Sequence, residues 1–91
     1  MRFQGTKAFH REWAKLPADR QEKARQTLED MDRFFHAGTK PEGLGLKKLR
    51  DPFWEIRTTL KDRILFTLEK DLMTFVLIGS HDDVHRFLRR G

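Results

Sequence analysis

The 91-residue chain contains no cysteine and no long apolar run. Without cysteine it can form neither a disulfide framework nor a thiolate nucleophile or metal site. No apolar segment approaches the roughly 20 residues that a membrane-spanning helix needs. The first five residues have no apolar signal-peptide core behind them. We therefore expect a cytoplasmic protein with no membrane association.

Charge is abundant by contrast, because charged residues make up 36% of the chain and hydrophobic residues 37%. The length fits one small domain, residues 1–91, with a modest core and a largely ionic surface. Lysine and arginine number 19 against 14 acidic residues, which gives a net charge of +5. A basic domain of this kind favours a polyanionic partner: nucleic acid, an acidic protein or an anionic surface.

Two amphipathic helices are predicted in the first 38 residues. Thr6 can cap the first helix, which should end before Pro17, because the residue preceding proline avoids helical angles. The apolar stripes at helical spacing are Phe9, Trp13 and Leu16, then Ala24, Leu28, Met31 and Phe35. Gly38 lies where a C-terminal cap of the second helix is expected.

From Leu46 onward the apolar period falls from 3.6 residues to 2, which indicates β-strands. Three alternating runs are separated by short polar turns: residues 53–57, 63–68 and 74–79. The segment 38–45, rich in glycine, is predicted to be a loop. Residues 2–4 are a candidate edge strand, and residues 82–90 can form a short closing helix.

These elements predict an α+β fold, in which an N-terminal helical hairpin packs on an antiparallel sheet of three to four strands. A short C-terminal helix completes it. The expected core comprises Phe9, Trp13, Leu28, Met31 and Phe35 of the helices and Trp54, Ile56, Ile64, Phe66, Val76 and Ile78 of the sheet. Strand alternation turns Glu55, Arg57 and Arg63 to the opposite face, which we expect to be polar and basic.

Two pairs of residues are candidates for chemistry. Arg57 and Arg63 project from one face of neighbouring strands, and a planar guanidinium binds phosphate bidentately; solvated surface arginines are the alternative. His81 and His85 would stack on one helix face, as proton-transfer groups or as ordinary surface residues. A metal site that joins them to an adjacent aspartate, Asp82 or Asp83, is disfavoured because no third ligand is defined. We expect no metal.

Further charged residues surround these pairs. Glu55 is a candidate base, although an ion pair with an arginine across the sheet is the favoured interpretation. An RNA backbone could follow four basic residues: Lys47, Lys48, Arg50 and Arg86. Phosphate neutralisation supplies much of the affinity for nucleic acid, whereas a charged edge strand that resists aggregation is the alternative.

Three segments carry a combined pattern: residues 46–51 leading into 53–57, residues 62–66, and residues 78–86. In this order and spacing they resemble the RelE/ParE superfamily of type II toxin–antitoxin toxins, and the resemblance covers most of the chain. It implies a small basic toxin that a cognate antitoxin neutralises by wrapping around it in a hetero-oligomer.

Many members of this superfamily are endoribonucleases that need no metal or other cofactor and cut mRNA in the ribosomal A site. They activate a ribose 2′-oxygen to attack the adjacent phosphorus, which leaves a cyclic or 3′-phosphate and a free 5′-hydroxyl. ParE-type members share the fold but poison DNA gyrase. The resemblance therefore implies an mRNA-cleaving inhibitor of translation, with a gyrase toxin or a basic nucleic-acid-binding module as alternatives.

By position, Arg57 and Arg63 match the two strand arginines that contact the scissile phosphate in the superfamily. His81 falls where the superfamily has arginine or histidine, and His85 falls where many members have tyrosine. The chain departs from the pattern there, since it contains no tyrosine. The resemblance thus implies these four residues as the catalytic set. Glu42 lies in the loop where YoeB-like members place a glutamate base.

Overall fold

The computed structural model of the protein describes residues 2–38 and 43–90. Its elements are β1 (Arg2–Gly5), α1 (Lys7–Lys15), α2 (Ala18–Ala37), β2 (Gly45–Lys48), β3 (Phe53–Arg57), β4 (Arg63–Glu69), β5 (Leu72–Gly79) and α3 (His81–Arg90). The candidate base Glu42, in the predicted loop between α2 and β2, lies outside the described residues.

The first two helices begin and end where their capping residues predict. Thr6 Oγ accepts a hydrogen bond from the Phe9 backbone N–H at 3.1 Å and so caps α1. Leu16 is the C-cap of α1, immediately before Pro17. Gly38 ends α2 at φ 76°, a left-handed angle that glycine adopts without steric cost.

Within residues 2–38 and 43–90, no helix is both long and apolar enough to cross a membrane.

The strands form one five-stranded mixed sheet in the order β1-β5-β4-β3-β2. Strands β2 to β5 are antiparallel neighbours, whereas β1 runs parallel to β5. The α+β class and the edge strand at residues 2–4 are confirmed, but the sheet has five strands rather than three to four. The two outer strands, β1 and β2, have only four residues each. An alternating apolar pattern cannot be recognised reliably in strands of that length.

Helices α1 and α2 pack on one face of the sheet and enclose the main core with it. The buried core residues are Phe9, Ala24, Met31, Ile56, Ile64, Phe66, Met73 and Ile78. Trp54 is partly buried against them and stacks on Phe66 with ring centroids 6.3 Å apart. Most of the predicted core is therefore confirmed.

A bulge between β4 and β5 changes which residues face this core. After Leu65 the register of the two strands shifts by one residue. Phe66 therefore pairs with Phe75, and Val76 is left without a cross-strand partner. Phe75 packs on Phe9 with ring centroids 5.3 Å apart. The prediction that Val76 is a core residue is wrong for this reason.

Helix α3 covers the middle of the opposite sheet face. Leu65 on β4 and Val84 on α3 are fully buried, and α3 contacts both β4 and β5. Phe53 and Phe87 meet edge-on with ring centroids 6.1 Å apart. This face is apolar at its centre, so the prediction that it is polar and basic is wrong there. Charged residues remain at its rim and at one buried position, Glu55.

An ion pair ties α2 to the turn between β3 and β4. The Arg20 guanidinium donates to both carboxylate oxygens of Asp62, from Nε at 2.9 Å and from Nη2 at 2.5 Å. These hydrogen bonds hold the pKa of the buried Asp62 carboxyl below its ordinary value, against the burial that raises it. The pair thereby fixes the turn that leads into Arg63.

Candidate active site

Glu55 lies in the middle of β3 on the sheet face that α3 covers. Its cross-strand neighbours are Lys47 on β2 and Leu65 on β4. The residue is only 9% exposed, and its Oε1 atom has no hydrogen-bond partner among residues 2–38 and 43–90. The expected ion pair with an arginine across the sheet is wrong, because Arg63 lies opposite Arg57 instead.

His81 and His85 lie one turn apart at the start of α3. Their ring centroids are 4.1 Å apart and their planes are inclined by 44°. Both rings therefore share one helix face, as the four-residue spacing predicts. His81 is exposed and His85 is half-buried, so one imidazole is open to solvent and the other lies closer to the sheet.

A reciprocal cap fixes the start of α3. Ser80 Oγ accepts a hydrogen bond from the Asp83 N–H at 3.1 Å, and Asp83 Oδ2 accepts one from the Ser80 N–H at 2.8 Å. The bond from the Ser80 backbone is the main reason that the pKa of Asp83 lies below its ordinary value. A Cβ at Gly79 would lie 2.7 Å from Asp83 Oδ2, so this cap requires glycine there. Asp83 is thus engaged in the cap.

Glu55, His81 and His85 come together at the interface between β3 and α3. One carboxylate oxygen of Glu55 and one ring nitrogen from each histidine all lie within 4.8 Å of one another. The cluster joins a buried acid to two imidazoles, and both group types can transfer protons. Glu55 is a candidate base in the sequence, but nothing there links it to the histidines. The missed signal lies on the neighbouring strand, where the apolar Leu65 shares the face of Glu55 and needs a cover.

Arg57 and Arg63 form a row beside this cluster. They are cross-strand partners on β3 and β4, and Gly79 continues the row on β5. Arg57 follows Glu55 by two residues, so their Cα atoms are about 7 Å apart and their side chains share a sheet face. Arg57 is exposed, and its side chain passes close to Gly45, where a Cβ would lie 3.0 Å from Arg57 Cβ.

The Arg63 guanidinium is partly committed to the turn that precedes it. Its Nη1 atom donates to three backbone carbonyls, those of Thr59 and Asp62 at 3.1 Å and that of Leu60 at 3.3 Å. The turn therefore sets the orientation of this side chain. An anion on this face would meet one exposed arginine, Arg57, and one arginine that the backbone already holds.

The two lysines predicted to contact RNA face opposite sides of the sheet. Lys47 is paired with Glu55 in the sheet and shares the face of the cluster. Lys48 lies over Trp54, with Nζ 5.7 Å from the ring centroid, and also 3.1 Å from an Asp51 carboxylate oxygen. Of these two lysines, Lys47 is therefore the one that adds positive charge beside the cluster.

The two arginines predicted to contact RNA are both engaged within the protein. Arg50 Nη2 donates to the Leu88 carbonyl at 2.7 Å, near the C-terminal end of α3, and its guanidinium lies 6.0 Å from the Phe53 ring centroid. Arg86 pairs with Asp83 at 3.0 Å. Both residues remain partly open to solvent, and their contact with RNA stays a prediction.

No protein-family model and no curated protein sequence matches the chain. Solved structures do match it. A chain of the RelB–RelE antitoxin–toxin complex from Methanococcus jannaschii superposes with a TM-score of 0.66 at 13% identity, over 96% of this chain and 98% of the other. The YoeB/ParE toxin from Agrobacterium tumefaciens gives 0.68 at 19% identity, over 89% and 99%. A copper-bound mutant toxin from Helicobacter pylori gives 0.69 at 15% identity, over 92% and 98%.

These superpositions cover most of each compared chain, so the likeness extends along the chain and is not limited to one motif. The sequence identities are low, and the likeness is therefore one of fold. In this fold, α1 and α2 cover one face of the sheet and α3 covers the other. The cluster lies where α3 meets β3. The protein has the fold of the RelE/ParE toxin superfamily, as its three sequence segments predicted.

Proposed function

We propose that this protein is the toxin of a type II toxin–antitoxin system and that it inhibits translation by cleaving mRNA on the ribosome. The observation that carries the proposal is the cluster of Glu55, His81 and His85 beside the arginine row of Arg57 and Arg63. RNA cleavage by a ribose 2′-oxygen requires a base, an acid and cationic groups on the phosphate. All three kinds of group lie on one face of a toxin-type fold.

In this mechanism His85 takes the proton from the ribose 2′-hydroxyl. His85 suits the base because it is half-buried beside the Glu55 carboxylate, whose negative charge stabilises the imidazolium that forms. The 2′-oxygen bonds to phosphorus as the bond from phosphorus to the 5′-oxygen breaks. The products are a 2′,3′-cyclic phosphate and a 5′-hydroxyl, and no metal ion takes part.

His81 gives its proton to the leaving 5′-oxygen. It is exposed, and it follows Gly79 of the arginine row by two residues, so it suits an acid that must reach a leaving group beside the bound phosphate. One imidazole starts neutral and the other protonated, and cleavage exchanges the two states. This division of roles needs no tyrosine, which the chain lacks.

Arg57 and Arg63 bind the scissile phosphate and stabilise the charge that develops on its oxygens. A guanidinium remains charged at every relevant pH and matches the spacing of phosphate oxygens. The hydrogen bonds from Arg63 Nη1 to the turn orient that residue before RNA arrives. Lys47, on the same face, adds positive charge along the RNA backbone.

The protein partner in this proposal is a cognate antitoxin. A net charge of +5 favours an acidic antitoxin segment, and one of the similar structures is itself an antitoxin–toxin complex. An acidic segment that pairs with the exposed Arg57 and Lys47 would block RNA from the same surface. Binding of the antitoxin and cleavage of RNA would then exclude each other.

Induced expression in a bacterial host tests this function, with growth, 5′-hydroxyl mRNA ends and plasmid supercoiling followed together. Wild type and the control His36→Gln should arrest growth and produce new ends inside coding regions, whereas His81→Gln should do neither. His36 is an exposed histidine on α2, outside the cluster. Growth arrest with altered supercoiling and no mRNA cuts would show that the protein acts on gyrase and is not a nuclease. Unaffected growth would exclude a toxin.

A further inference from the structure

The carboxylate of Glu55 presents a buried oxygen that no protein group satisfies within residues 2–38 and 43–90. An unpaired buried polar atom destabilises a fold unless a ligand completes its contacts. Ring nitrogens of His81 and His85 lie within 4.8 Å of a Glu55 carboxylate oxygen and of each other. A single small cation among these three atoms would be bound by the Glu55 carboxylate and by both imidazoles at once.

We propose that Glu55, His81 and His85 form a binding site for one divalent transition-metal ion, with zinc as the representative ion. Two imidazole nitrogens and one carboxylate oxygen are a donor set of open zinc sites. Imidazole ligands favour zinc, copper or nickel over magnesium and calcium, which prefer oxygen ligands. The sequence left the histidine pair without a third ligand, and Glu55 supplies one from a different element.

The helical spacing of the two histidines suits a shared ion. Histidines four residues apart on one helix face bind zinc together in other helical sites, and the ring centroids here are 4.1 Å apart. Donor atoms around a tetrahedral zinc ion are about 3.4 Å apart, given bond lengths of about 2.0–2.1 Å. The three donor atoms lie within 4.8 Å of one another, and rotation of the exposed His81 side chain can bring its nitrogen to the spacing that zinc requires.

The surroundings of the cluster determine what kind of site it is. Lys47 lies beside Glu55 in the sheet and Arg57 lies in the adjacent row, so their positive charges weaken the binding of a further cation. Glu55 is the only anion among the three ligands. The exposure of His81 leaves a coordination position open to solvent. We therefore expect an exchangeable ion and not a structural one.

A bound ion would occupy the lone pairs that the RNA-cleavage mechanism uses. This consequence rests on the proposed function, whereas the site itself does not. Zinc should then inhibit cleavage, and removal of zinc by a chelator should restore it. The cluster would thus have two mutually exclusive occupants, the ion and the reacting RNA.

Titration of the purified, untagged full chain with zinc tests the site, in competition with a chromophoric zinc chelator. We expect one ion per chain for the wild type and for His36→Gln. His36 is a matched control because this exposed histidine has a carboxylate oxygen of Asp32 3.3 Å from its Nδ1 atom. Glu55→Gln, His81→Gln and His85→Gln should each bind zinc at least about tenfold more weakly, since even loss of an outer-shell partner costs about 10–100-fold.

His81→Gln is the decisive variant, because the side chain is exposed and its loss leaves the packed core intact. Unchanged zinc affinity in this variant would overturn the proposal, as would an equal loss in His36→Gln. Displacement of zinc by an equal concentration of magnesium would also contradict it. The titration contains no RNA, so its outcome does not depend on nuclease activity, and its failure would leave the proposed function standing.

Discussion

Glu55 on β3 and His85 on α3 place a carboxylate oxygen and a ring nitrogen within 4.8 Å of each other. The contact crosses the interface between the sheet and the C-terminal helix. It depends on the docking of α3, which buries Val84 completely on the face where Leu65 is also buried. The chemistry of the site is therefore coupled to a packing contact outside the main core.

The docking of α3 can be weakened without a change in any charged residue. Val84→Ala removes two buried methyl groups and should lower the free energy of unfolding by about 2 kcal/mol. It should also reduce mRNA cleavage, because the histidine pair is carried on the same helix. Chemical denaturation and a cleavage assay check the two effects. Leu60→Ala is the control, since Leu60 is 90% exposed, and an equal loss of stability there would contradict this account.

Substitution of Glu55 separates its charge from its shape. Glu55→Gln keeps the size of the side chain but removes the negative charge beside His85, so cleavage should fall by up to about 10⁴-fold, as when the carboxylate behind a catalytic histidine is replaced by its amide. Stability should be unchanged or higher, because an unpaired buried charge is removed. Single-turnover cleavage and thermal unfolding measure these effects. The control Glu69→Gln, at an exposed position on β4, should change neither cleavage nor thermal stability. Normal cleavage by Glu55→Gln would show that Glu55 has no role in the mechanism.

The two arginines should differ in what their loss does to stability. Arg57→Ala should lower cleavage by about 10²–10³-fold and leave the unfolding free energy within about 0.5 kcal/mol, as for other exposed positions. Arg63→Ala should lower cleavage similarly and also destabilise the protein by about 1 kcal/mol, since its Nη1 hydrogen bonds hold the turn. Arg25→Ala on α2 serves as control. Equal stability of the two site variants would contradict the assigned role of the turn.

The Arg20–Asp62 ion pair should make the free energy of unfolding depend on pH in the acid range. Arg20→Gln should lower the free energy of unfolding by about 2 kcal/mol at neutral pH, the range of charge-assisted hydrogen bonds. The pKa of Asp62 is lowered in the folded protein, so its stabilising effect is present above the ordinary pKa of 3.8. That effect is lost as the pH falls through the lower folded value. Urea titrations should therefore show that the difference in unfolding free energy between wild type and Arg20→Gln becomes smaller below about pH 4. A difference that does not change with pH would contradict a stabilising role of ionised Asp62.

The helices and their boundaries could be predicted from the sequence because the signals are local. Thr6, Pro17 and Gly38 act through backbone angles and hydrogen bonds within a few residues, and the apolar stripes have a clear period. The inward positions of Ile56 and Ile64 follow from alternation in the same way. These features need no knowledge of the path of the chain.

The rest depends on contacts between distant segments. The parallel pairing of β1 with β5 joins residues that are 70 positions apart in the sequence, such as Arg2 and Leu72. The bulge at Val76 is a property of two strands together. Glu55 was assigned to a polar face because nothing in its own segment indicates that α3 covers it. Its place beside the histidines could be found only once α3 had been placed on the sheet.

The central claim is that the histidine pair cleaves mRNA on the ribosome. The most direct test is primer extension on mRNA in a purified translation system. Wild-type protein that has been freed of metal by a chelator is added to ribosomes that carry the mRNA. We predict cuts in the translated region with 5′-hydroxyl ends for wild type and His36→Gln, and none for His81→Gln. Absence of cuts with the wild type, or equal cuts with His81→Gln, would contradict the account.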